Sequence, residues 1–116
     1  MKIAIYGGAK TGKTTFSERF KDAYHTDDLI GLGWSELSEK ASYWFDKEDF
    51  CIEGVAVGRA LRKWMKRNNG KPCDTLYWMN TPFIELTPEQ KNMNKGCETI
   101  FNEIKGELIK RGVQII

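Results

Sequence analysis

Met1-Lys2-Ile3-Ala4-Ile5-Tyr6-Gly7-Gly8-Ala9-Lys10-Thr11-Gly12-Lys13-Thr14 is the stretch on which the reading of this chain turns. Ile3 and Ile5 in a short apolar run closed by Gly7-Gly8 predict a buried strand. Residues 7–14 have the form G-x-x-x-x-G-K-[ST]. Glycines at these positions let the backbone turn so that successive N–H groups point inward as an anion nest. A helix starting at Thr14 adds its positive end. Lys13 would then reach the β- and γ-phosphates of a polyphosphate, and the Thr14 hydroxyl would ligate Mg²⁺. With Gly at roughly 7 % of residues, the four fixed positions arise by chance in a chain this long roughly a few times per thousand. The motif also sits between an expected strand and an expected helix, which is the context the chemistry requires.

Working outward, the rest of the chain alternates apolar runs with breakers. Helices are expected over Thr14–Ala23, Ser35–Asp46, Val55–Arg67 and from Thr87 to Gly112, the last loosening near Asn94-Lys95-Gly96. Thr87-Pro88-Glu89-Gln90 is a capping-box start with Pro at the first helical position. Strands are expected at Lys2–Tyr6, Tyr24–Asp27, Asp49–Glu53, Thr75–Met79 and Val113–Ile116. Strands joined by helical crossovers give an α/β fold: one domain over residues 1–116, with a five-stranded, mainly parallel sheet and helices on both faces.

Size and charge narrow the class. The chain has 116 residues, 41 % of them apolar and 29 % charged, which excludes a disordered or fibrous protein. Its mass allows one core with roughly 6,500 Å² left exposed. Lys and Arg number 18 against 16 Asp and Glu, a net charge of +2 that demands no polyelectrolyte partner. The N-terminal apolar run is too short for a signal peptide, and no stretch approaches the length of a membrane span. Cys51, Cys73 and Cys97 form no C-x-x-C pair, so free thiols in a reducing cytoplasm are expected. The lone His25 forms no triad or metal spacing, which removes hydrolase and zinc readings.

On the glycine motif, the chain resembles the P-loop NTPases, and within them the small P-loop kinases of the nucleoside monophosphate and polynucleotide kinase kind. The resemblance spans nearly the whole chain, but only the loop is highly specific. It implies that Gly7, Gly8, Ala9, Lys10, Thr11, Gly12, Lys13, Thr14 and Thr15 hold ATP, and that Thr14 and Glu53 hold Mg²⁺. Glu53 ends the Phe50-Cys51-Ile52 run, where the family places a Mg²⁺-shell carboxylate. It implies Lys13 as the phosphate cation and Asp27 as the base toward an acceptor hydroxyl, with Asp28 a neighbour or cap. Arg59, beside Glu53-Gly54, would grip an acceptor phosphate. The chain departs from the pattern twice. Its lid region, Asn80–Gly96, contains no Arg and offers only Gln90, Lys91 and Lys95. Nothing after the last strand encloses the base, so base selectivity is expected to be poor or supplied by another subunit, as monomer or homodimer.

Arg59, Arg62, Lys63, Lys66 and Arg67 fall on one helical face, open to a nucleic-acid or protein partner or simply solvated. Trp44 and Trp64 fall on inward stripes, whereas Trp34, after Gly31-Leu32-Gly33, is placed to be an exposed stacking ring. Three functions stay open. One is a kinase moving the ATP γ-phosphoryl to a nucleotide or 5′-hydroxyl. The second is an ATPase or switch acting through the basic helix, and the third a nucleotide-binding module without catalysis.

Overall fold

Alternation along the first strand divides the core. In the computed structural model, which describes all of residues 1–116, β1 (Lys2–Tyr6) turns Ile3 and Ile5 to one face and Ala4 and Tyr6 to the other. It lies between β3 (Phe50–Gly54) and β4 (Thr75–Trp78), with β2 (Ala23–His25) outside β3 and β5 (Gln114–Ile115) outside β4. Every pairing is parallel, in the order β2-β3-β1-β4-β5. Parallel strands need crossovers, and helices supply them. The exposed area of 6608 Å² matches the single core expected from the mass.

The helices divide unequally. α2 (Trp34–Trp44), α3 (Val57–Arg67) and α4 (Pro88–Lys110) cover the Ala4/Tyr6 face with a core that includes Ala41, Phe45, Leu61, Trp64, Ile100 and Leu108. The Ile3/Ile5 face has only α1 (Lys13–Ser17), whose Phe16, with Phe20 just beyond it, packs on Tyr77. α1 is shorter than the expected Thr14–Ala23. After Ser17 the hydrogen bonds tighten to i−3, with Arg19 N–H on the Phe16 carbonyl and Phe20 N–H on that of Ser17, and Asp22 at φ 56° turns the chain into β2. The Phe16 and Phe20 rings still meet edge-on at 5.7 Å.

β2 also ends earlier than the sequence suggests. Asp27 and Asp28 stand in the first turn of a 3₁₀ segment, Thr26–Leu32, where carboxylates suit the positive end of a helical turn. α4 starts on the expected capping box, with Gln90 N–H on Thr87 Oγ1 at 3.2 Å and Thr87 N–H on Gln90 Oε1 at 3.0 Å. It does not loosen at Asn94–Gly96 but runs unbroken, because Asn94, Cys97, Ile100 and Phe101 form one buried stripe through that region. Arg111 fixes the end of α3, donating to the Asn68, Gly70 and Met65 carbonyls at 2.7, 3.0 and 3.1 Å. No helix is long and apolar enough to cross a membrane.

Candidate functional site

The loop between β1 and α1 lies at the carboxyl end of the central strand, where open parallel sheets bind ligands. Lys10 at φ 58° and Gly12 at φ 85° adopt the left-handed backbone that turns successive amides to one side. The backbone N–H groups of Lys10, Thr11, Gly12, Lys13, Thr14 and Thr15 have no acceptor within the protein. By contrast, Gly8 N–H donates to Asn80 Oδ1 and Ala9 N–H to Asn94 Oδ1, each at 2.7 Å. A Cβ on Gly8 would fall 1.9 Å from Asn94 Oδ1, so this approach requires glycine.

Lys13 is 8 % exposed and folds back over the loop, donating to the Gly8 carbonyl and to Thr11 Oγ1. Burial pushes its ammonium below the usual lysine range, while Glu53 and Asp27 oppose that shift. Glu53 is only 2 % exposed, so it is no solvated strand end. Parallel pairing places it beside both Ile5 and His25. His25 Nδ1 lies 2.6 Å from Glu53 Oε1, and Thr14 Oγ1 donates to the same oxygen at 3.4 Å. The two residues expected to share a Mg²⁺ ion therefore already face each other. Hydroxyl and carboxylate oxygens are the donor types that Mg²⁺ takes when it arrives with substrate phosphates. No group of His, Cys, Asp and Glu forms a dedicated metal cage.

Residues 9–15 line a cleft of about 420 Å³ whose other walls are Asp27, Ile30, Trp34, Val55, Phe83, Gln90 and Met93. Asp27 is thus brought to the loop by the 3₁₀ turn rather than by a strand end. Phe83 N–H bonds the Lys10 carbonyl at 2.9 Å, fastening the β4–α4 connection to the loop. Among the polar residues of that connection and α4, Gln90 reaches the cleft; Lys91 and Lys95 line a separate depression with Pro82 and Pro88. Arg59 stands one step along, in an adjoining cavity of about 240 Å³ with Trp34, Val55, Met93, Cys97 and Ile100. Its guanidinium lies 5.4 Å from the centre of the Trp34 ring. Trp34 is 45 % exposed, open to a stacking partner, whereas Trp64 is buried and Trp44 packs on Tyr24.

The basic face of α3 is largely occupied by its neighbours. Arg62 pairs with Glu103 of α4 at 3.1 Å, and Lys63 and Arg67 pair with Glu39 of α2 at 3.7 and 3.5 Å. Arg67 also covers the Tyr43 ring. Lys66 is exposed. All three cysteines are buried free thiols. Burial pushes Cys51 and Cys73 up, to about 11 and about 12, so neither is a reactive nucleophile at neutral pH.

Sequence reasoning missed Asn80, Asn94, Phe83 and Met93, and left His25 without a role. A polar residue directly after a strand that borders the glycine loop, as Asn80 does, is a usable signal. Asn94 gave a misleading one: a poor helix former mid-helix reads as weakness, whereas its carboxamide is spent on the loop.

No protein-family model matches the chain. Among curated proteins it is similar to a glutamate–tRNA ligase of Thermodesulfovibrio yellowstonii, 30 % identical over 105 residues. That match takes in 87 % of this chain and 19 % of the ligase, so the chain spans about a fifth of that relative's length. No solved structure gives a significant match.

Proposed function

We propose that this chain is a minimal P-loop NTPase that binds Mg-ATP and transfers its γ-phosphoryl to an acceptor hydroxyl or phosphate. The observation that carries the reading is the row of free amides from Lys10 to Thr15, opening into a cleft that Asp27 also lines. The strand order supports it too, since β1 is central and feeds the loop directly.

In this reading the free amides and Lys13 bind the phosphate oxygens as preorganised donors. Mg²⁺, when bound by Thr14 and the Glu53 carboxylate, supplies neutralisation of charge on the phosphates. His25 holds the Glu53 carboxylate from the neighbouring strand. The acceptor enters along Trp34, with Arg59 placed for its anionic group and the ring for a flat one. Asp27 takes the proton of the attacking hydroxyl as the γ-phosphoryl moves to that oxygen and ADP leaves.

The test is ADP formation from Mg-ATP with a panel of nucleosides, nucleotides, 5′-hydroxyl oligonucleotides and tRNA, the last included because of the ligase similarity. Acceptor-dependent ADP with a phosphorylated product is expected. Asp27→Asn should cut transfer by about 10²- to 10⁴-fold and leave nucleotide affinity unchanged. ADP at one slow rate with every acceptor would replace the kinase with an ATPase.

A further inference from the structure

The fixed half of the loop contains a device that the nucleotide reading does not require. Gly8 C=O and Ala9 N–H belong to the same peptide group, and in a trans peptide they point in opposite directions. At one edge of that peptide Asn94 accepts from Ala9 N–H at 2.7 Å and donates its Nδ2 to the Ala9 carbonyl at 3.3 Å. At the other edge the Gly8 carbonyl receives Lys13 Nζ and, at 3.2 Å, Thr11 Oγ1. Glycine at position 8 leaves this peptide free to rotate unless something holds it.

Asn94 is suited to hold it. It is 7 % exposed and sits on α4, which Tyr6 ties to the end of β1 by donating to the Cys97 carbonyl at 3.0 Å. Asn80 braces the pair, accepting from Gly8 N–H and donating to the Asn94 backbone carbonyl at 3.1 Å. Both carboxamides have donor and acceptor engaged, so neither gains by turning over. We propose that Asn94 is a positioning residue for Lys13: by pinning the Gly8–Ala9 peptide it aims the Gly8 carbonyl at the ammonium and parks Lys13 at the loop. The purpose of the device rests on the nucleotide reading; the geometry does not.

Two measurements separate them. The first is the rate at which sulfo-NHS-acetate acetylates Lys13 in the protein without nucleotide, read by mass spectrometry against the exposed Lys10. Asn94→Leu, which keeps the bulk and removes both hydrogen bonds, should raise the Lys13 rate about tenfold. Asn94→Asp keeps the acceptor for Ala9 N–H and should stay within about twofold of the unsubstituted protein. The second is Mg-ATP affinity in a double-mutant cycle. Asn94→Leu should weaken it about tenfold beside Lys13 and change nothing further beside Lys13→Ala, because coupled residues are non-additive. Far-UV circular dichroism shows which variants are folded. If Asn94→Leu is not, Asn94→Ala, which also removes both hydrogen bonds, takes its place: raised Lys13 labelling in the folded variant upholds the proposal and unchanged labelling overturns it. Unchanged Lys13 labelling in folded Asn94→Leu overturns it even if Mg-ATP binds. Raised labelling in a protein that binds no Mg-ATP upholds it and sinks the nucleotide reading instead.

Discussion

The two halves of the glycine loop share a backbone and differ in what satisfies it. The amides of Gly8 and Ala9 are consumed by Asn80 and Asn94, and the packing leaves no room for a Cβ at Gly7 or Gly8. From Lys10 to Thr15 the amides have no protein acceptor and the side chains of Thr14 and Thr15 are exposed. A buried polar group without a partner is costly, so a row of unpaired donors persists only where solvent or a ligand supplies the acceptor. The first half is held rigid by its partners, and the second, on the function proposed above, is open to an anion. Substitutions should divide along the same line, into those that cost stability and those that cost binding.

The largest effect belongs to the open half. Lys13→Ala should lower Mg-ATP turnover by about 10²- to 10³-fold without lowering the melting temperature, because burial already disfavours the charged amine. A melting temperature that falls with it would make Lys13 part of the scaffold and erase the division. Next comes Glu53→Gln, nearly isosteric beside His25. It should raise the Mg²⁺ concentration needed for half-maximal turnover by about 10- to 100-fold, measured by titrating MgCl₂ at fixed ATP.

On the fixed half the expected loss is of stability. Gly8→Ala drives a methyl group into the Asn94 carboxamide, and denaturant unfolding should register about 1–3 kcal/mol. A variant as stable as the parent would show that the Asn94 contact yields at no cost. The last effect sharpens the comparison from outside the loop. Burial pushes the Cys73 thiol up to about 12. Below the ordinary thiol range both states keep the proton and stability is unaffected. Above it the unfolded chain ionises first, so stability should fall by up to about 1.4 kcal/mol per pH unit from this group until the folded thiol titrates too. Cys73→Val should flatten the urea midpoint between about pH 9 and 11, and by the same amount in the Gly8→Ala background.

Much of this architecture is local in origin, and that part is legible in the sequence. Ile3 and Ile5 before Gly7-Gly8, the capping box at Thr87 and the inward stripe of α4 each act within a few residues, so pattern alone locates β1 and α4. The loop motif is legible for the same reason. What pattern misses is set by partners far along the chain. The α3 cations look free until Glu39 and Glu103 arrive from other helices. His25 gains its role from Glu53, distant in sequence, through β2–β3 register. Asn94 looks like a flaw in a helix because Ala9 is invisible from its surroundings. The short α1 is a local failure of a different kind: Phe16 and Phe20 keep helical spacing in sequence while the backbone between them tightens into i−3 turns.

The most direct test of the division is a ¹H–¹⁵N correlation spectrum of the protein titrated with Mg²⁺ and a non-hydrolysable ATP analogue. The amides of Lys10 through Thr15 should shift most and saturably, while Gly8 and Ala9, already bonded to Asn80 and Asn94, should move little. Saturable shifts centred on Gly8 and Ala9, or a loop that does not respond to the analogue at millimolar concentration, would contradict it.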